Sequence, residues 1–222
     1  MKPIFKFPFL ALAIVLGTNA NAQTTTSGNG EGVLNYGVKV GVNFAGFNGK
    51  GAKDLDGKVG FNAGVFAEYT LPTNLYFLTG LEISAKGAKA EIEEDGGKYK
   101  ETYSPTYLQL PIHAGYKLGL SDNITLGLHA GPYLAYGIGG KSKEEYTSDG
   151  DTEKNETDFF GSKEKGGAKS FDFGVGLGAN VDINQFRIGL GYDMGLSNID
   201  RSEESEAHLK NRNFFINVGY KF

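Results

Sequence analysis

The chain contains no cysteine among its 222 residues. This absence excludes a disulfide scaffold, a thiolate zinc site, a cysteine nucleophile and a lipid-modified N-terminal cysteine. The chain has 22 Lys and Arg against 26 Asp and Glu, so its net charge is −4. This acidic balance disfavours a nucleic-acid binder. After residue 22, no apolar run approaches the roughly 20 residues that a membrane helix needs. A helical membrane protein is therefore excluded, whereas a membrane protein built from strands is not.

Residues 1–22 have the layout of a secretory signal peptide: two lysines, an apolar stretch of about ten residues, and small residues that end at Ala22. We expect cleavage near Ala22, and loss of the two lysines takes the net charge from −4 to −6. The alternative, an amphipathic first helix, is disfavoured by the Gly and Asn near this position. Residues 23–32 are small and polar and predict a flexible lead-in, and residues 33–222 predict one domain.

The rest of the chain alternates between apolar and polar or small residues. Alternation with a period of two over this length indicates β-strands with one apolar face. Eight such segments are present: 36–45, 59–69, 75–86, 108–117, 124–131, 171–182, 186–196 and 214–222.

The connections between these segments alternate in length. Three short turns, near residues 71–74, 119–123 and 183–184, alternate with four longer, charged links. The long links cover residues 48–58, 93–100, 141–167 and 200–211. This pattern predicts an all-β fold: an eight-stranded antiparallel up-and-down transmembrane β-barrel with short periplasmic turns and longer extracellular loops.

The charged residues of the strands avoid the apolar faces. An unpaired charge that faces hydrocarbon costs roughly 2–4 kcal/mol near the membrane midplane, so these charges are expected to form a polar network in the lumen. Glycine, present 34 times, occupies the same faces and leaves room for long charged side chains inside a narrow barrel. The predicted lumen network consists of Lys39, Glu68, Glu82, Lys86, Asp172, Arg187 and Asp193.

Aromatic residues gather where the apolar band is expected to end. Two girdles of this kind are typical of membrane interfaces. They disfavour a soluble, lipocalin-like barrel, whose apolar residues would point inward. The girdle near the short turns is predicted to contain Tyr36, Tyr69, Tyr116, Phe186 and Tyr220, and the girdle near the long loops Phe44, Phe61, Tyr136, Phe171 and Phe214.

Several motifs resemble the PorT-like outer-membrane β-barrel family of Bacteroidetes-type Gram-negative bacteria. The resemblance covers about residues 33–222 and implies a location in the outer membrane and a link to protein secretion. It specifies a fold better than an activity, since many members of the family have no assigned role. The motifs are Gly80-Leu81-Glu82 with Lys86-Gly87, Tyr107-Leu108-Gln109-Leu110-Pro111-Ile112, Gly131-Pro132-Tyr133-Leu134, Phe171-Asp172-Phe173-Gly174 and Gly219-Tyr220-Lys221-Phe222.

The end of the chain resembles the signal that barrel-assembly machinery reads. Val218, Tyr220 and Phe222 follow one another at a period of two, although a last apolar strand would show the same pattern. The expected partners are therefore outer-membrane lipid and the barrel-assembly machinery, with an envelope protein as a candidate partner at residues 141–167. We expect no nucleic-acid partner and a monomeric barrel.

Candidate sites for chemistry are few, and no cofactor is expected. If the hairpin turns about Ser121, His113 and His129 lie directly opposite each other and face the lumen. They are weak candidates for a metal site, and a hydrogen-bonded interior pair is the alternative. The glycines at 174, 176 and 178 lie inside a strand with no following helix, which argues against a phosphate loop.

The longest link, residues 141–167, carries eight acidic and five basic residues and is expected to be a solvated external loop or a partner-binding segment. Its spacing of Asp149, Asp151, Glu153 and Asn155 is similar to that of a calcium loop, but Lys154 replaces the required glycine.

The leading functional hypothesis is a non-enzymatic outer-membrane barrel with a structural or protein-interaction role. The alternatives are a narrow channel, a small-ligand barrel, and an outer-membrane hydrolase or acyltransferase. The enzyme hypothesis would depend on His208 near Ser202 and Ser205 in an external loop.

Overall fold

The computed structural model describes residues 32–52, 55–94, 97–148, 151–161, 167–201 and 208–222. The predicted signal peptide and nearly all of the lead-in lie outside these residues. In the described part of the chain, no helix is long and apolar enough to cross a membrane. The described residues form ten strands: β1 Val33–Asn48, β2 Asp56–Thr70, β3 Leu75–Ala85, β4 Ala88–Glu94, β5 Gly97–Ser121, β6 Ile124–Ser148, β7 Asp151–Asp158, β8 Phe171–Ile183, β9 Phe186–Gly195 and β10 Lys210–Lys221.

Eight of the strands form a closed antiparallel ring in the order β1, β2, β3, β5, β6, β8, β9 and β10. Its eight strands correspond to the eight alternating segments of the sequence. The remaining two strands, β4 and β7, lie outside the ring and were not predicted. Closure leaves the ring without an unpaired strand edge, as a barrel in lipid requires.

The strand register determines the width of the barrel. A path that steps from each residue to its paired residue on the next strand starts at Leu34 on β1. After one circuit of the ring it returns to β1 at Phe44, so the register offset is ten residues. Eight strands with this offset tilt by about 40° from the barrel axis, and such a barrel is only just wide enough for its interior side chains. The path runs through Tyr69, Phe77, Ala114, Ala130, Leu177, Tyr192 and Phe214.

The apolar faces point outward and the charged faces point inward. Val40 and Ile188, near the middle of their strands, are 56 % and 53 % exposed, whereas Glu68 and Asp172 are fully buried. This arrangement is the inverse of a soluble barrel, so it contradicts the lipocalin-like alternative. The predicted girdle residues are exposed on the outer surface, except for Tyr220, which is half-buried.

The three short turns lie at one rim, which we call the turn rim, and the four long links lie at the other, the loop rim. Asn74 and Asn184 adopt positive φ values of 65° and 54° in two of the short turns. Asparagine tolerates this left-handed conformation better than most residues with a side chain.

Beyond the loop rim, four strand segments continue as a protruding sheet. It consists of β4, residues 97–105 of β5, residues 140–148 of β6, and β7, paired in that order. Residues 141–148 and 151–158 were expected to belong to a solvated loop, but they form paired strands. Neither segment has an apolar face that alternation could reveal. Cross-strand pairs of oppositely charged side chains account for the strand pairing instead.

Candidate functional site

The lumen near the turn rim contains a network of five ionised side chains. Arg187 donates from Nε to Oδ1 of Asp182 at 2.7 Å and from Nη2 to Oε2 of Glu68 at 2.7 Å. Lys221 binds Asp182 at 3.0 Å, and Lys117 forms an ion pair with Glu68. Each carboxylate therefore has two cationic partners, which compensates for the cost of burying it.

The middle of the lumen contains an ion pair and a histidine pair. Lys39 and Glu82 are 2.5 Å apart. The Nδ1 atoms of His113 and His129 are 2.9 Å apart, and the two rings stack with centroids separated by 5.0 Å. The prediction that these histidines lie directly opposite each other was wrong. His129 pairs with Gly115, because the pairing of this hairpin is centred on Asp122 rather than on Ser121.

The histidine geometry is that of a hydrogen-bonded pair. One Nδ1 donates to the other, and Nε2 of His113 is buried without a hydrogen-bond partner. Two metal–nitrogen bonds of about 2.1 Å at a tetrahedral angle would hold the nitrogens further apart than this. Among the described residues, no group of three His, Asp or Glu side chains could hold a metal ion.

Lys86 lies in an aromatic cage in the part of the lumen nearest the loop rim. Its Nζ is 5.4 Å from the ring centroid of Tyr107 and 5.0 Å from that of Tyr133, which are distances for cation–π interactions. Nζ also donates to Oε1 of Gln109 at 2.7 Å, and Gln109 donates to Asp193 at 2.9 Å. The Gln109 amide thus connects the Lys86 ammonium to the buried Asp193 carboxylate.

Asp172, unlike Glu68 and Asp182, accepts its hydrogen bonds from neutral donors. Tyr133 and Asn211 donate to its Oδ2 at 3.2 Å and 2.9 Å, and Ser197 donates to its Oδ1. The structure therefore places all seven residues of the predicted lumen network inside the ring and connects them in separate layers.

Sequence reasoning missed much of what fills the lumen. Tyr76, Tyr107 and Tyr133 are almost completely buried inside the ring, although aromatic residues were expected at the lipid girdles. Their position in the alternation was the available signal, since each lies in phase with polar residues of its strand. Further interior residues outside the predicted network are Asn43, Asn62, Gln109, Lys117, Asn180, Asp182, Asn211, Asn213, Asn217 and Lys221.

An apolar cap covers the loop rim. It is formed by Phe47, Ala52, Ala88, Phe159 and Ile199, which come from three of the long links or the strand ends beside them and from the start of β4. The rings of Phe47 and Phe159 stack with centroids 6.3 Å apart. Polar side chains thus fill the lumen, and apolar side chains lie over its end at the loop rim.

The other sequence candidates do not form sites in the described residues. His208 is exposed and lies 3.2 Å from the side-chain nitrogen of Asn198, while Ser202 and Ser205 lie outside the described residues. The described part of the calcium pattern, Asp151 to Asn155, is an extended strand, and Asp149 lies outside the description.

The outer face of the protruding sheet carries charge pairs in cross-strand rows. Lys98 pairs with Glu91, which raises the pKa of Lys98 and lowers that of Glu91 through their mutual hydrogen bond. Lys143 binds Glu156 at 3.0 Å, and Lys154 binds Glu145 at 3.1 Å.

The opposite face of the protruding sheet is apolar and acidic. Ile92, Tyr99 and Tyr146 form one cross-strand row, and Glu101 lies directly opposite Glu144 in the next row on that face. Ile92 and Tyr146 are exposed beyond the loop-rim girdle, where lipid would not cover them. Apolar side chains exposed in this way are typical of interaction surfaces.

The β7 strand forms an open edge of the protruding sheet. It pairs with β6 on one side and with no other described strand, and all eight of its residues are exposed. An open edge presents unpaired backbone donors and acceptors that an added strand can satisfy.

The predicted assembly signal lies at the end of β10. Val218 and Phe222 are exposed on the outer surface, and the ring of Phe222 lies 5.8 Å from that of Tyr36 on the neighbouring strand. Tyr220 contacts Phe222 at 5.4 Å between centroids. The position is compatible with a signal, and recognition by assembly machinery stays a prediction.

Comparison with known proteins adds a family match. Residues 21–201 match the model of the outer membrane protein beta-barrel domain family. No curated protein matches the chain. Similar solved structures include Ail of Yersinia pestis in complex with the heparin analogue sucrose octasulfate, at 17 % identity, TM-score 0.35, and coverage of 86 % of this chain and 99 % of that one. Neisserial surface protein A is 13 % identical, with TM-score 0.42 and coverage of 84 % and 97 %. Similarity at these values carries no conclusion about function.

Proposed function

The chain belongs to the outer membrane protein β-barrel domain family, and on that premise we propose that it is a non-enzymatic outer-membrane protein whose protruding sheet binds a protein partner. The observation that carries the proposal is the open edge of β7, which lies beyond the loop-rim girdle. A partner strand added there would pair with backbone groups, and the row of Ile92, Tyr99 and Tyr146 would supply apolar contacts.

The contents of the lumen favour this role over a channel or a small-ligand barrel. Arg187, Lys86 and three buried tyrosines occupy the interior, and the apolar cap covers the loop rim. A pore would need a continuous water path past these side chains. A cavity of about 50 Å³ lies beside Lys39 and the histidine pair, and it can hold a few water molecules rather than a substrate.

The resemblance to PorT-like barrels suggests the pathway. On this proposal, the barrel serves protein secretion as an accessory that holds a secretion component at the cell surface, because the filled lumen leaves no conduit for a polypeptide. The barrel acts as a monomer in lipid, and its partner is another envelope protein.

The first test is the orientation of the protruding sheet. The chain has no cysteine, so Ser148→Cys creates a single thiol at the tip of β6. A membrane-impermeant maleimide is expected to label this thiol in intact cells. Ser121→Cys, at the turn rim, is the matched control and should react only after the outer membrane is permeabilised. Labelling of Ser148→Cys only after permeabilisation would contradict an extracellular sheet.

The second test removes the open edge. Residues 142–157 are deleted, and Lys141 is joined to Asp158, its partner in the β6–β7 pairing, through an Asn-Gly turn. The eight-stranded ring keeps all its pairings, so heat-dependent gel mobility should still report a folded barrel. Cross-linking from Ser104→Cys, on the sheet segment that remains, is expected to yield a stoichiometric complex with one envelope protein in the full chain and none in the deletion variant. The same complex in both variants would refute the role of the edge.

A further inference from the structure

The protruding sheet has an inner face and an outer face. The inner face continues the lumen-facing side of β5, because Tyr99 and Glu101 lie in phase with the buried Gln109. Among the described strand residues, this face contains acidic residues on β5, β6 and β7 and no Lys or Arg. Its two central cross-strand rows are formed by Ile92, Tyr99, Tyr146 and Glu153 and by Ala90, Glu101, Glu144 and Asn155.

The outer face is balanced in charge. Its strand positions hold six basic and five acidic residues, and ion pairs such as that of Lys143 with Glu156 connect neighbouring strands. On the inner face, Glu101 lies directly opposite Glu144. Partial burial, and after it the negative charge of these two carboxylates, raises the pKa of Tyr99 from its usual 10.0. The unbalanced negative charge of the described strands therefore lies on the inner face.

The negative charge of the protruding sheet remains when every residue of its segments and connections is counted. Residues 88–105 and 141–167 together hold thirteen acidic and eight basic residues, which gives a net charge of −5. The whole chain has a net charge of −4, so the rest of the chain is close to neutral. A partner of the protruding sheet therefore meets most of the net negative charge of the molecule.

A strand added to the open edge of β7 would direct every second side chain to the inner face. On that face, its nearest neighbours would be Glu153 and Asn155. Asn155 has a short side chain, so a long side chain that crosses it can reach Glu144, roughly 10 Å from the added strand at the usual strand spacing. Arg and Lys have this length, and their apolar stems can pack against Tyr146, which is 49 % exposed.

We propose that the partner supplies a basic strand to β7, with Lys or Arg at the alternate positions that face Glu153 and Glu144. This inference rests on the proposed function and adds the chemistry of the partner to it. Nucleic acids and phosphorylated lipids are anionic and would be repelled. A second copy of this chain is disfavoured as well, because β7 has four acidic residues and one basic residue, and two such strands would place like charges together.

The proposal is tested with a cyclic β-hairpin peptide that has one open strand with Arg at alternate positions. Its fluorescence anisotropy measures binding to the full barrel in nanodiscs of zwitterionic lipid. Glu144→Gln combined with Glu153→Gln is expected to weaken binding about tenfold, because two ion pairs with the peptide are lost. The matched control, Glu145→Gln combined with Glu156→Gln, makes the same charge change on the outer face of the same strands and should bind the peptide as the wild type does.

Several results would overturn the proposal. They are equal binding by the inner-face variant and the wild type, equal losses in both variants, equal binding of a hairpin with Gln in place of every Arg, and no binding of the basic hairpin at millimolar concentration. The Ser104→Cys cross-link distinguishes such a failure from a failure of the proposed function. A complex that survives the inner-face change but not the deletion of residues 142–157 would keep the edge as the binding site and refute the basic strand.

Discussion

Arg187 is the side chain that joins the carboxylates of the lumen near the turn rim. It binds Asp182, five residues away on the neighbouring strand, and Glu68 on β2, and its guanidinium carbon lies 4.7 Å from the ring of Phe66. Arginine suits this position because its planar group can serve two carboxylates at once. This part of the lumen is therefore a network in which one residue satisfies groups from opposite sides of the ring.

We predict that Arg187→Gln lowers the free energy of unfolding by about 3–5 kcal/mol, because it leaves buried carboxylates short of a cation. Urea unfolding in detergent micelles, followed by gel mobility, measures the change. Arg212→Gln is the control, with an expected loss below about 1 kcal/mol at the exposed surface. Equal losses for the two variants would mean that the Arg187 network does not stabilise the barrel.

At the scale of single residues, the alternation of the sequence was sufficient to assign side chains to the lumen but not to pair them. The contact between His113 and His129 depends on where the hairpin turns, and its centre lies at Asp122, one residue beyond the Ser121 assumed from the sequence. Hydrophobicity likewise cannot distinguish Tyr76 inside the ring from Tyr69 at the girdle. Only the phase of the strand separates them, because tyrosine fits both environments.

At the scale of strands, the ring was predictable and the protruding sheet was not. The ring strands alternate because lipid lies on one side and a polar lumen on the other. The β7 strand is polar on both faces, so its sequence carries no period-two signal, and it is held by pairs such as Lys143 with Glu156. Such pairing depends on the partner strand and cannot be read from one segment alone.

The junction of β3 and β4 depends on Gly87. Its φ is +150°, and a Cβ there would overlap the carbonyl oxygen of Tyr103 on β5. Gly87→Ala is predicted to cost about 1–3 kcal/mol and to loosen β4 from β5. Amide hydrogen exchange over β4 and the urea midpoint measure these effects.

Gly139→Ala is the matched control for this prediction, since nothing lies within 4 Å of a Cβ at Gly139. It should leave both β4 exchange and the midpoint unchanged. If Gly87→Ala behaved in the same way, the backbone at the junction would not require glycine.

The Glu91–Lys98 pair predicts a pH dependence of the β4–β5 hairpin. The pKa of Glu91 is lowered from 4.5, so its contribution to stability is present above pH 4.5 and is lost as pH falls through the lowered value. The pKa of Lys98 is raised from 10.5, so its contribution is complete below pH 10.5 and is lost as pH rises through the raised value. An NMR titration of the Glu91 carboxyl carbon should therefore give a lower midpoint in the wild type than in Lys98→Gln. Identical midpoints would show that the pair does not form in solution.

At the scale of the whole molecule, the proposed function treats the barrel as a support that is closed to passage. Closure of the ring satisfies the backbone in lipid, the lumen network pairs the interior charges, and the apolar cap lies at the loop-rim end of the lumen. On this proposal, the functional surface is the part that projects beyond the barrel, namely the protruding sheet.

Conductance measurements can show whether the cap or the filled lumen is the barrier to ions. Purified wild-type barrel in planar bilayers is expected to show no steady single-channel current. Phe47→Ala combined with Phe159→Ala opens the cap, yet this variant should also stay silent, because Tyr107, Tyr133 and Arg187 still fill the lumen below. Steady current in the cap variant alone would make the cap the gate of a hydrated lumen. Steady current in the wild type would instead favour the narrow channel and refute a purely supporting barrel.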